Sequence, residues 1–323
     1  DTGGQPRESL RTVYGRIDQD IDRAIELLEK ARETTLAENN KSHINLYVAL
    51  GIKSRACLAE GDWDGAFKAA KRVIDEGGYA VGTKSDLTSG MNSLDKQNVM
   101  WGAGIQVADQ AGGYAGFFTH MDNKEGAYAK SAPKLISKQL YNRISATDIR
   151  RDWWDPSDKE SPYVSKKFSF ANVASFLGDY IYMRVEEMYF TAAEAALRLD
   201  DLKSARELMN TVMAERDPGY SANNRSGTLL GATTTTWTGS FLENILTHRR
   251  IELWGEYGRL FDVRRLGQGI DRRTDDGFSE ECISMMNRRN VNITKADTYD
   301  WVLTIPKAEL DANPNINEED QNP

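Results

Sequence analysis

The chain has 323 residues, 40% of them hydrophobic and 28% charged, with 49 acidic against 41 basic side chains and a formal net charge of −8. That size and balance suit one large or two ordinary globular domains with a core that needs no covalent staples. The acidic excess disfavours a phosphate backbone as partner, so no nucleic acid is expected. Two cysteines, Cys57 and Cys282, are too few for a disulfide scaffold, and their pairing cannot be read from spacing. No apolar run reaches the ~18 residues of a membrane-spanning helix. The opening Asp-Thr-Gly-Gly-Gln-Pro has neither the basic nor the apolar part of an export signal, so any signal is processed away or was never there.

Pro6 suits the first turn of a helix, and Leu10, Val13, Ile17, Ile21, Ala24, Ile25 and Leu28 recur at helical spacing to about residue 33. After a polar break at 38–42, helices are predicted over about 43–60 and 63–77. Gly61-Asp62 forms the turn between them and Gly77-Gly78 the stop. Ala66 and Ala70 let two helices approach closely, so this pair reads as one tetratricopeptide-like hairpin. A second hairpin is predicted over about 184–199 and 202–216, with Asp200-Asp201-Leu202 as its turn. The copies are too far apart for a tandem array. Between and after them, 79–183 and 217–240 are rich in Gly, Ser, Asn and aromatic residues and read as long functional loops. Short strands are predicted at 99–107, 163–170 and 302–305. A helix is predicted over 248–267, where Arg249, Arg250, Arg259, Arg264 and Arg265 interleave with Glu252, Glu256 and Asp262. That pattern favours ion pairing over a nucleic-acid patch. The tail after Pro306 is expected to be extended, since Pro314 and Pro323 disfavour helix.

Catalytic constellations are missing from the sequence. His43, His120 and His248 have no partner at ligand spacing and there is no CxxC, so no metal site is expected. Gly102-Ala103-Gly104 lacks the third glycine of a dinucleotide loop, and neither a phosphate-loop nor a GxSxG motif occurs. Glu186 and Glu187 are adjacent on a helix and point apart. No catalytic residue, cofactor or enzyme activity is therefore expected. The positive signal is the loop aromatics: Tyr114, Phe117, Phe118, Tyr128, Trp153, Trp154, Tyr163 and Trp237. A flat ring suits the apolar face of a sugar or a peptide side chain, with loop Asn, Asp, Arg and Gln supplying hydrogen bonds. Tyr114, Phe117, Trp153, Trp154 and Trp237 are the candidate ligand-binding residues, although for any one ring taken singly pinning a loop onto the core is the favoured reading. Trp101 and Trp254 read as core, and Trp63 as packing in its hairpin turn.

Eight segments stand in order along the chain: Tyr14 to Ile25; Ala56 to Trp63 with Ala66 and Ala70; Asp148 to Asp152; Lys166-Lys167-Phe168; Arg184 to Tyr189 with Ala193-Glu194-Ala195; Asn210; His248 to Gly267; and Ile305-Pro306 to Asn322-Pro323. In this order they are similar to segments of the SusD/RagB family of nutrient-binding lipoproteins of Bacteroidota. Met213, His248 and Tyr257 depart from residues usual in the family, and family members are usually longer at the N-terminus, where the lipidated cysteine lies. The resemblance implies a mostly α fold over 1–323: a SusD-like α-α superhelix of tetratricopeptide-like hairpins at 6–78 and 184–267, loop-rich ligand-facing segments at 79–183 and 217–240, a few short strands, and a tail at 302–323. It implies structural roles for Glu187, Tyr189, Glu194, Asn210, Arg249, Glu252, Arg259, Asp262, Pro306, Asn313 and Pro314. It also implies a protein held on the outer membrane by an N-terminal lipid anchor outside this chain, which captures an oligosaccharide and passes it to a SusC-like TonB-dependent transporter. Binding of a peptide, as in RagB-like members, a protein-binding helical adaptor and a degenerate glycan-processing enzyme remain alternatives.

Overall fold

Two antiparallel helical hairpins form the centre of the structure, a computed structural model that describes residues 4–32, 40–109, 116–223, 239–270 and 301–322. The first hairpin joins α2 (Leu46–Glu60) to α3 (Trp63–Glu76), after a long α1 (Leu10–Arg32) that packs on α2. Asn45 caps α2 by accepting from the Val48 amide, and Asp62 caps α3 by accepting from the Gly65 amide. Gly61 turns the chain between them at φ 83°, a left-handed value that glycine adopts without strain. The second hairpin joins α4 (Val185–Arg198) to α5 (Leu202–Ala214), which Asp201 caps through the Ser204 amide. α3 lies against α4 through small side chains, with Ala69, Ala70 and Val73 in one core with Ala192, Ala193, Ala196 and Ala205. The result is mostly helical, as the periodicity predicted. None of the described helices is long and apolar enough to cross a membrane.

α4 is enclosed on nearly every side, with every residue from Val185 to Leu197 buried except the half-buried Tyr189. Enclosing Glu186, Glu187 and Glu194 in this way requires cationic partners, because an unpaired buried carboxylate is costly. The loop-rich segment has its own, more aromatic core of Phe118, Tyr141, Trp153, Trp154, Phe168 and Phe170, which meets the helices at Ile251. Two small sheets stiffen it. β1 (Val99–Ala103) pairs antiparallel with β4 (Tyr180–Arg184), and β2 (Trp154–Asp155) with β3 (Val164–Ser165).

Several sequence expectations are corrected here. The helix expected over 248–267 is two, α6 (Phe241–Glu252) and α7 (Arg259–Arg265), because Gly255 (φ 75°) and Gly258 (φ 111°) turn the chain between them. The strand at 163–170 is only two residues long, and 302–305 is not a strand. There the Gln321 side chain both accepts from the Ile305 amide (2.7 Å) and donates to its carbonyl (3.0 Å), replacing a partner strand. The tail is not wholly extended. Pro306, with φ −55°, precedes a helix at Lys307–Ala312, since proline lacks only a donor that the first turn leaves unused; Pro314 follows its end. The N-terminal strand of chain is fastened to this tail, with Asn313 donating to the Gln5 carbonyl (2.9 Å) and Arg7 to the Asn322 side chain (2.7 Å).

Candidate functional site

A buried charge cluster joins the aromatic segment to the helices. Glu252, at the end of α6, accepts from Arg150 Nη1 (3.1 Å), Arg184 Nη1 (3.0 Å) and Arg216 Nε and Nη2 (both 3.0 Å). Glu186 accepts from Arg216 Nη2 (2.8 Å), the Asn98 side chain (2.9 Å) and the Gly82 amide (2.9 Å). Asp148 takes Arg150 Nη2 at 2.6 Å, and Glu256 takes Arg184 Nε at 2.7 Å and Lys167. Burial opposes ionisation of Glu252, but the guanidiniums of Arg216, Arg184 and Arg150 outweigh it and hold its carboxyl well below the usual range. Burial pushes the Lys167 ammonium down to about 8 against the pull of Glu256, and its three donors go to Glu256 and the carbonyls of Glu252 (2.7 Å) and Trp254 (2.8 Å).

On the outer side of Arg150 the same short 3-10 helix, Ile149–Trp153, walls a recess of about 440 Å³. Lys84, Tyr141, Arg151, Asp152, Trp154, Asp155 and Lys166 line it along with Thr147, Asp148 and Ile149. The Arg151 guanidinium lies 4.3 Å from the centre of the Tyr141 ring, and its Nη1 donates to the Ile144 carbonyl at 2.7 Å. Tyr141 in turn meets Tyr163 edge-on at 5.2 Å. Asp155 accepts from the Ser157 hydroxyl (2.7 Å) and amide (2.9 Å), contacts that hold its carboxyl below the ordinary range, and Lys166 stands 3.9 Å away. The indole Nε1 of Trp154 is buried and has no hydrogen-bond partner among the described residues. The recess therefore offers fixed donors and a ring-backed guanidinium, chemistry suited to holding a polar ligand.

The structure places the five ligand candidates as follows. Tyr114 and Trp237 lie outside the described residues. Phe117 is half-buried, with its ring set against Phe118 (5.2 Å), Phe168 (5.3 Å) and Tyr180 (5.9 Å). Trp153 is 2% exposed, donates its Nε1 to the Leu87 carbonyl at 2.8 Å and carries Lys167 over its ring at 4.5 Å, so it is a core residue and not a ligand platform. Trp154 is 1% exposed and meets Trp153 and Trp254 edge-on, each at 5.8 Å; it forms part of the recess wall without offering an open face. Both corrections have one cause: the 3-10 turn followed directly by β2 sends two consecutive side chains into the aromatic core. Tyr141, Arg151 and Lys84 were not selected from the sequence; the run of three charges followed by two rings in Arg150-Arg151-Asp152-Trp153-Trp154 was the available signal.

Several of the residues to which the resemblance gives structural roles make contacts between elements. Glu187 receives Arg55 at 2.8 and 2.6 Å; Glu194 receives Arg265 through two bonds of 2.7 Å; Asp262 receives Arg249 (3.0 Å) and Arg265 (2.8 Å). Asn210 accepts from the Ala222 amide at 2.8 Å, and Tyr189 packs on the first core. Arg259 opens α7. Trp101 and Trp254 are half-buried, Trp254 against the aromatic core, and Trp63 packs in its turn under Arg198, 4.3 Å from the ring centre. Cys57 is buried and free, and burial pushes its thiol up to about 12; Cys282 lies outside the described residues.

Rigid helical hairpins that carry a donor-lined recess on loops define a ligand-binding scaffold. The chain belongs to the SusD family, whose family model matches residues 119–323. It is similar to the structure of a SusD-like carbohydrate binding protein from Bacteroides vulgatus ATCC 8482, at 26% identity over 97% of this chain and 67% of that one, with a TM-score of 0.76. A SusD superfamily protein from Bacteroides thetaiotaomicron VPI-5482 shares the fold at 23% identity over 100% of this chain and 68% of that one, TM-score 0.76. The surface glycan-binding protein A from Bacteroides uniformis does so at 17% identity, covering 98% and 70%, TM-score 0.64. No curated protein matches the chain.

Proposed function

We propose that the protein is a cell-surface nutrient-binding protein that captures an oligosaccharide without chemical turnover. In this reading it stands lipid-anchored on the outer membrane and passes its ligand to a SusC-like TonB-dependent transporter by hinged closure of the pair. Membership of the SusD family and likeness to a carbohydrate-binding relative support the class of ligand. The observation that carries the reading is the recess of about 440 Å³, walled by the loop-rich segment and backed by the buried Arg150–Glu252 pair. A binding protein needs donors held in place before the ligand arrives, and buried ion pairs behind the wall supply that order.

Calorimetric titration against a panel of plant, host and fungal oligosaccharides, with the mixtures then analysed for new reducing ends, tests it. Saturable binding with no cleavage is expected. Cleavage products would overturn the capture reading, and binding to a peptide mixture but to no glycan would replace the ligand class.

A further inference from the structure

The recess has a charge pattern that narrows the ligand, and the inference rests on the capture reading above. Two of its acids are already engaged: Asp148 is buried against Arg150 at 2.6 Å, and Asp155 is held by Ser157 with Lys166 at 3.9 Å. Asp152 remains, exposed at the rim. Against it stand Arg151 and Lys84, neither of which has an acidic partner among the described residues. Arg151 is also oriented. Its guanidinium carbon lies 4.3 Å from the centre of the Tyr141 ring and Nη1 donates to the Ile144 carbonyl at 2.7 Å, while Nε and Nη2 have no acceptor among the described residues. A guanidinium held at a ring with two donors unused can meet an oxyanion through two parallel bonds.

We propose that the recess takes an acidic sugar residue, one bearing a carboxylate or a sulfate ester, with its oxyanion on Arg151 and its charge balanced in part by Lys84. A neutral sugar would leave these donors facing hydroxyls that also need acceptors. An acidic group consists of acceptors alone and matches a donor-rich wall.

The test is calorimetric titration with an oligogalacturonate against its methyl ester, and with a sulfated oligosaccharide against its desulfated form. At least one acidic form binds more tightly than its neutral counterpart by about tenfold or more, the size of one charge-assisted pair. That advantage shrinks at about 0.5 M salt, because the rim is open to solvent. Arg151→Gln removes it, and Lys84→Gln reduces it by less. Thermal melts of both variants check folding, and if Arg151→Gln does not fold, Arg151→Lys serves, because it keeps the charge but loses the two parallel donors and so weakens the preference. Neutral and acidic forms binding alike, or a folded Arg151 variant keeping the full acidic preference, would overturn the proposal while leaving glycan capture intact. Binding to no glycan at all would overturn both.

Discussion

Replacing Glu252 by alanine probes the contact on which the joining of the two cores depends. The carboxylate has no solvent exposure and lies 3.0 to 3.1 Å from nitrogens of Arg150, Arg184 and Arg216. With Glu252 present, four acids (Asp148, Glu186, Glu252, Glu256) face four cations (Arg150, Arg184, Arg216, Lys167) in the cluster. Without it three acids face four cations, so one positive charge is left uncompensated in the interior. Removing one partner of a buried pair costs about 3–5 kcal/mol. Against a typical stability of ~5–15 kcal/mol this is a large fraction of the total. Glu252→Gln keeps the volume and one acceptor oxygen but loses the charge, so it is destabilised by less. Urea unfolding followed by far-UV circular dichroism reads the change as a shift of midpoint at constant slope. A Glu252→Ala protein within about 1 kcal/mol of the parent would refute the reasoning, because the cluster would then be solvated or slack.

Two further outcomes follow from the same coordinates. Trp153→Ala should destabilise the fold by about 3–5 kcal/mol, because its ring is enclosed and its Nε1 satisfies the Leu87 carbonyl; thermal melting checks this. The carboxyls of Glu252, Glu256, Glu194 and Asp262 are all depressed in the folded protein, where burial is overcome by neighbouring arginines and Lys167. Their contribution is therefore complete above the unfolded carboxylate values of about 4–4.5 and is lost as pH falls through the lower folded values, at about 1.4 kcal/mol per unit of depression. Urea midpoints should hold between pH 7 and about 5 and fall below about 4, and equal midpoints at pH 6 and pH 3 would contradict this.

The helical hairpins were legible because local signals agreed with the packing. Asp62 and Asp201 cap where the pattern places a turn, and the alanines of α3 and α4 meet where small residues permit close approach. The split of 248–267 was also written in the chain, at Gly255 and Gly258, but the dense arginines masked it. A β-carbon at Gly255 would lie 2.6 Å from Phe168 Cε2, so this glycine serves packing as well as backbone conformation. The recess was less legible. Arg150 and Arg151 are neighbours of like charge, yet one is enclosed on Glu252, 102 positions away, and the other lies on Tyr141 at the surface. Composition cannot separate them, because the difference is made by which distant carboxylate reaches the turn. Burial of Trp153 and Trp154 was decided in the same way, by a tertiary core that leaves no local mark to separate buried loop aromatics from exposed ones.

This divergence of adjacent arginines links the scaffold to the ligand wall. Arg150 is pinned by Asp148 and Glu252, and the Ile149 amide donates to the Arg216 carbonyl at 2.8 Å, so the backbone on the N-terminal side of Arg151 has little freedom. The Arg151 side chain is then oriented by one carbonyl and one ring. A guanidinium so held loses less entropy on meeting a ligand than one on a free loop. The buried charges thus need never touch ligand to influence its binding. A mutation in the cluster that leaves the protein folded should lower affinity through the position of the wall, whereas a change in Arg151 alters which ligand is preferred.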